Sequence, residues 1–294
     1  MSSDYSYAGL SNVELGPERY DLGCGIYFSR TYAHLMAPHL MAFARPHKGE
    51  IHPPPWRAAK GGFIFDITVQ LAIPTKSKLP GSLSVEDTAW WIATMLRITR
   101  HPYLAVPVFS DQAFSKIAES GREPNLRPFE IIDRILRPGE AAIQILEEAD
   151  LEWTKSKWAR GAELLSRSSS LFSAVRAFDA CTLEGKRPLS LLSVWGGLEQ
   201  LFSPSPGELR YRVSSNIASY LEPPGEKRLS LFKEIMRLYD ARSKAAHTAS
   251  DTDVGPLIQS FVIMRNALVK IIDEGSIPTQ DDLERRLFCM LGDI

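Results

Sequence analysis

Near residue 138 the chain changes its hydrophobic period, and that change limits the folds open to it. Upstream, Phe63, Phe65, Ile67, Val69, Leu71 and Ile73 alternate with Ile64, Asp66, Thr68, Gln70 and Ala72. A sustained period of two predicts a half-buried strand, because successive side chains leave opposite faces of an extended backbone. Pro74 ends it. Ser84-Val-Glu-Asp87 resembles a capping box and opens a predicted helix through Trp90, Trp91, Ile92, Met95 and Leu96. Tyr103 to Phe109 reads as another strand, with Pro107 pushing it toward an edge or a bulge. The run from Phe129 to Leu136 fits either strand or helix, and Asn12 to Ala59 is irregular and yields no clear element. Residues 1–138 are therefore expected to form a small α+β domain.

Downstream the period is helical. Pro138-Gly139 precedes a helical run from Glu140 through Leu165. Ser170 is a candidate cap for a helix carrying Leu171, Phe172, Val175 and Phe178 and ending near Gly185. Further helices follow: one from Pro188 to Phe202, one through Tyr211 and Tyr220, one from about Glu226 to His247, one from Pro256 to Asp273 and one opened by Pro278. Residues 139–294 are expected to form an all-α bundle with loops of ordinary length.

Composition narrows the class. About 44% of residues are hydrophobic and 23% charged, with a net charge of -1, so no global basic field advertises a nucleic-acid partner. Cys24, Cys181 and Cys289 are few, odd in number and far apart, which argues against a disulfide framework and fits a reducing cytoplasm. The first residues have no basic, apolar leader pattern. No apolar stretch approaches the ~18 residues of a membrane span, so no membrane contact is expected.

Chemistry concentrates in Tyr239-Asp240-Ala241-Arg242-Ser243-Lys244-Ala245-Ala246-His247. Arginine is a permanent cation that grips phosphate with two parallel hydrogen bonds, and histidine moves protons near neutral pH. Together they are the minimal kit for cutting an RNA phosphodiester without a metal. Leu231, Ile235, Leu238 and Arg242 fall on one helical stripe, so Arg242 continues an apolar face and must meet a core partner, a cleft or another chain. Met236, Asp240, Ser243 and His247 form a second stripe. Arg242 and His247 stand about 140° apart on an ideal helix. They converge only if the helix ends or tightens, if the Arg stem bends round, or if a second chain completes the site. Glu199 is a candidate partner for Arg242. Asp240 is placed to tune the local charge, and Ser243 to donate to phosphate. A bland alternative is an Arg paired with a carboxylate and a His set against the helix C-terminal dipole.

From about Leu171 to Thr248 the chain resembles the HEPN superfamily, particularly its Apea-like branch. The likeness rests on the helix around Phe172 to Phe178, on Leu192-Ser-Val-Trp-Gly-Gly-Leu-Glu-Gln-Leu-Phe202, and on the R-x4-6-H signature at Arg242 and His247. The resemblance implies a bundle that dimerises and brings motif residues of two protomers to one cleft. It also implies a metal-independent endoribonuclease without a cofactor, of the kind used in toxin–antitoxin and anti-phage systems, with an antitoxin or regulator as a possible partner. Ser243 stands where many active members carry Asn, Asp or His, and where Apea-like relatives often carry Ser. Two other functions compete: a catalytically silent HEPN module binding RNA, nucleotide or protein, and a ligand sensor that uses the bundle only to dimerise.

Weaker signals read as structural. His34, His39, His47 and His52 cluster without metal-ligand spacing. Gly23-Cys24-Gly25 predicts a tight turn with a buried thiol, and Trp90-Trp91 predicts one ring in the core and one at a ligand or domain interface.

Overall fold

A computed structural model describes residues 4–132, 134, 144–203, 209–247 and 253–290. The chain is mixed α and β: an antiparallel sheet comes first and a helical region follows. The sheet contains β1 (Tyr5–Ser11), β3 (Arg19–Gly23), β4 (Ile26–Ala42), β5 (Trp56–Pro74), β6 (Ala105–Ser110) and β7 (Leu126–Pro128), in the order β3-β4-β5-β1-β6-β7. The predicted strand is the inner half of β5, where Phe65, Ile67, Val69, Leu71 and Ile73 are buried, and Pro74 is its last residue. Pro107 sits at a bulge. Gly9 pairs with Val108 and Ser11 with Ala105, so Val106 and Pro107 together face Leu10 and the missing N–H costs no ladder bond.

Two features of the irregular N-terminal stretch escape a pattern search. β4 and β5 form a long antiparallel ribbon whose register runs from Tyr27↔Ala72 to Ala42↔Trp56. β2 (Val13–Leu15) pairs in parallel with β8 (Gln144–Leu146), which corrects the expectation of a helix through residues 144–146. Residues 140–143 and the expected boundary near 138 lie outside the described residues. The turn Gly23-Cys24-Gly25 has three positive φ values, as a tight β3–β4 connection requires, but Cys24 is exposed because that turn stands at the end of the sheet.

The helices match their caps and breakers. α1 (Val85–Thr99) starts at Ser84, whose hydroxyl accepts from Asp87 N–H at 2.9 Å. The short α2 (Phe114–Ile117) lies against β4. α3 (Glu148–Arg167) opens on a Glu147–Asp150 capping box, and α4 (Ser169–Ala180) is capped by Ser168 rather than Ser170. α5 (Arg187–Phe202), α6 (Leu209–Leu221), α7 (Glu226–His247), α8 (Val254–Glu274) and α9 (Gln280–Leu287) complete the region. α8 is long and apolar enough to cross a membrane, contrary to the sequence expectation. Half of its most apolar window is buried, with Leu257, Phe261, Met264, Leu268 and Ile271 turned into the bundle.

One continuous apolar cluster runs from Ala8 and Leu10 in the sheet through α1 to Leu268 and Leu283. Both Trp90 and Trp91 are buried in it, and both rings lie where α1 meets the helices that follow, so the interface expected for one of them is occupied by the pair. The Trp90 indole N–H donates to Asp179 on α4 at 2.8 Å, and the Trp91 N–H donates to Trp158 O on α3 at 2.9 Å. The Trp158 N–H reaches Leu22 O on β3 at 2.8 Å. Buried indoles here act as bolts between sheet, α1 and the bundle, each with its polar handle satisfied.

The same seam carries a buried ionic cluster that no local pattern announces. Arg97 bonds Asp179 at 2.9 Å, Glu130 at 2.5 Å and Leu104 O at 2.9 Å. Arg134 meets the same two carboxylates, Glu130 at 3.2 Å and Asp179 at 3.0 Å. Glu130 also accepts from Val106 N–H at 2.8 Å. Two guanidinium and two carboxylate groups thus balance in charge and share their hydrogen bonds, the condition under which burial of ions is tolerable. Burial alone would raise the Asp179 carboxyl, but Arg97 and Arg134 more than offset it and hold it below the usual aspartate value.

Candidate functional site

α7 places the Arg242 element. Ile235, Leu238, Tyr239 and Ala245 are buried along its inner face, and Leu231 is half-buried on the same stripe. Arg242 lies on this face as expected, and its side chain is about one-quarter exposed. Its partner is Glu199 on α5: one guanidinium nitrogen lies 3.3 Å from Oε2 in hydrogen-bond geometry and 3.2 Å from Oε1. The Arg242 Nε and Glu199 Oε1 are buried without a hydrogen bond. The pair is therefore incompletely satisfied, each partner keeping one buried polar atom without a hydrogen bond.

Tyr239 frames this pair. Its ring lies edge-on to Trp195 at 5.2 Å between centroids, and the Arg242 guanidinium stands 5.5 Å from the ring centre. Burial, then the Glu199 carboxylate, push the Tyr239 phenol above its ordinary pKa, while Arg242 opposes them. Trp195 is fixed by donating to Ser260 on α8 at 3.1 Å. The guanidinium is thus held on a rigid aromatic shelf rather than on a loop.

The other candidates are not gathered with it. α7 remains regular through His247, so the option that the helix ends or tightens before this residue is not observed. Position 247 lies within about 20° of Asp240 in helical azimuth, and about 140° from Arg242. Asp240 is exposed and bonds Arg210 on α6 at 2.5 Å, so it serves the α6–α7 contact. Ser243 is half-buried on α7. Within one chain, Glu199 and Arg242 meet, whereas Asp240 is engaged elsewhere.

A separate cleft of about 780 Å³ opens where α1 meets the bundle. Arg100, Asp150, Trp153, Glu222, Arg265 and Lys270 are among its lining residues. Asp150 also bonds the buried His101 at 3.1 Å, and the other His101 ring nitrogen is buried without a partner. Lys270 donates to Tyr220 O at 2.6 Å, and burial lowers its ammonium from the usual value. His101 just beyond α1, Asp150 on α3 and Lys270 on α8 are far apart in sequence, so no spacing rule could have grouped them. The histidines of the β4–β5 ribbon are likewise dispersed: His34 bonds Asp66 at 2.7 Å and His52 contacts Ala44 O at 3.1 Å. Among the described residues no group of three or more His, Cys, Asp or Glu could hold a metal ion. No family model matches the chain, and neither a curated protein nor a solved structure matches it.

Proposed function

We propose that this is a HEPN-type protein whose Arg242–His247 element acts on RNA as a metal-independent endoribonuclease, completed when two chains meet, in prokaryotic anti-phage defence or toxin-type regulation. The observation that carries the proposal is the guanidinium of Arg242. It stands on the inner face of a rigid helix, beside one carboxylate, with an unbonded Nε. A phosphodiester oxygen is the ligand that such a fork takes best. His247 would accept the ribose 2′-OH proton as the 2′-oxygen attacks phosphorus, or return a proton to the leaving 5′-oxygen. Arg242 would stabilise the charge building on the phosphoryl oxygens. The products would be a 2′,3′-cyclic phosphate and a 5′-hydroxyl. Because the two positions diverge on α7, a second chain would bring the complementary residue of each pair, and an antitoxin or regulator would act on that assembly.

The Arg242–Glu199 contact favours a second candidate, a catalytically silent module that binds RNA, nucleotide or protein. A carboxylate already in place must be displaced before phosphate can bind. The cleft between α1 and the bundle supports a third, a ligand sensor. Incubation of labelled total RNA and tRNA in EDTA separates the first two. Cleavage by wild type, abolished in folded His247→Ala and Arg242→Ala variants, supports the nuclease. Retention of RNA without cleavage, lost in Arg242→Ala alone, supports the silent module.

A further inference from the structure

The β4–β5 ribbon leaves the body of the protein. Its inner face is covered only near the base, where Ala33 and Leu35 pack beside Ile67, Phe114 and Ile117. From His34 to Ile64 no residue is buried. A two-stranded ribbon is marginal in water by itself, so a ribbon this long needs a covering surface. Its side chains are wrong for permanent exposure. Eight large apolar side chains between residues 32 and 64 are half to four-fifths exposed, with Tyr32, Met36, Leu40, Phe43, Ile51 and Ile64 the most exposed. Each face carries some. Met36 and Ile64 are cross-strand partners on one face, and beyond the register shift Leu40 shares a face with Trp56 while Met41 lies on the opposite one.

We propose that this ribbon is an interaction arm whose occupant is a second copy of this chain, the two copies exchanging arms about a two-fold axis. Three observations favour that occupant. The first is area: at ~150–250 Å² for a fully exposed large side chain, the eight offer roughly 800–1,200 Å² per arm. Reciprocal exchange doubles that, which reaches the size of a stable interface, about 1,200–2,000 Å². The second is charge. Residues 30–66 carry five cations (Arg30, Arg45, Lys48, Arg57 and Lys60) against Glu50 and Asp66, a formal +3 on a chain of -1, which leaves -4 for the body. An arm of one copy is thus drawn to the body of another. The third is the mixture of aliphatic residues on both faces. A lipid surface covers one face only, and although Tyr32, Phe43 and Trp56 could each stack on a base, the other five, Met36, Leu40, Met41, Ile51 and Ile64, offer no stacking platform to nucleic acid. This arm is separate from the Arg242 element and does not rest on its proposed activity.

Sedimentation of the full-length chain from 0.1 to 50 µM tests the assignment. Wild type is expected to be a dimer that weakens as salt rises. Met36→Gln/Leu40→Gln/Ile64→Gln is expected to raise the dimer dissociation constant at least ~100-fold with an unchanged thermal midpoint of the isolated fold. Arg45→Glu/Arg57→Glu, which leaves every apolar contact of the ribbon in place, should weaken the dimer by ~10-fold or more and serves if the triple variant fails to fold. A monomeric wild type overturns the proposal. So does a dimer that both variants leave intact, since the interface would then lie on the bundle. Vesicles of phosphatidylserine and phosphatidylcholine, and labelled RNA, are run alongside. Arm-dependent binding to either by a monomeric chain would assign the ribbon to that ligand instead.

Discussion

Replacing Asp179 with Ala should cost about 3–5 kcal/mol, the range for removing one partner of a buried ion pair. Asp179 contacts Arg97 at 2.9 Å, Arg134 at 3.0 Å and the Trp90 N–H at 2.8 Å. Both arginine side chains are nearly inaccessible, 2% and 3% exposed, so water cannot replace the lost carboxylate. The variant leaves two guanidinium groups sharing Glu130, and an indole N–H without an acceptor. Total stabilities of domains run to ~5–15 kcal/mol, so this one site would remove about a fifth or more of it. Asp4→Ala, which breaks the exposed Lys76 pair, should cost under ~1 kcal/mol and serves as the control. Urea unfolding followed by tryptophan fluorescence reads the difference: at a slope of about 3 kcal/mol/M the Asp179→Ala midpoint should fall by ~1 M or more with the slope unchanged. A loss below ~1 kcal/mol would refute the view that this cluster clamps α1, Glu130 and Arg134 to α4.

The pH dependence of the same residue has a fixed sign. Because the folded Asp179 carboxyl titrates below its ordinary value, its contribution is fully present above about pH 4 and is lost as pH falls through the depressed folded value; wild type and Asp179→Asn should therefore converge in stability only in that acidic window. Glu199→Gln frees Arg242 from its anionic partner, and should tighten binding of a labelled RNA oligonucleotide in anisotropy titrations by up to ~10-fold, the contact being only partly buried. The same variant should bring the Tyr239 phenol down in a spectroscopic titration, since Glu199 is one of the groups holding it up; weaker RNA binding with an unmoved phenol would count against the site. Gly161→Ala should destabilise by ~1–3 kcal/mol in thermal unfolding, despite alanine's better helix propensity, because its Cβ would lie 2.5 Å from the buried Trp91 ring.

Where a local rule was enough, the sequence located the element. Alternation to Pro74, the Ser84–Asp87 cap and the stripe of Ile235, Leu238 and Arg242 each depend on residues within a few positions of one another. The direction in which Arg242 points was legible for the same reason, since helical geometry projects a face once the period is known, whereas its contact with Glu199, 43 positions away, follows from no local rule. Where the deciding contact was distant, local patterns failed. The strand at 144–146 exists because β2 pairs with it from more than a hundred residues away. β4 lacks the one-sided burial that makes a strand recognisable, since its outer half has no buried face at all.

The sequence by itself determined the change of period, the Ser84 cap, the approximate course of most helices and the inward face of α7, because backbone geometry and neighbouring side chains settle those locally. Only the tertiary structure decided that Trp90, Arg97, Arg134 and Asp179 close one seam between sheet and bundle, that Asp240 belongs to Arg210, and that residues 34–64 stand uncovered. Buried charges and exposed apolar ribbons depend on which distant surfaces meet, and burial is a property of the assembled chain that no short window of residues contains.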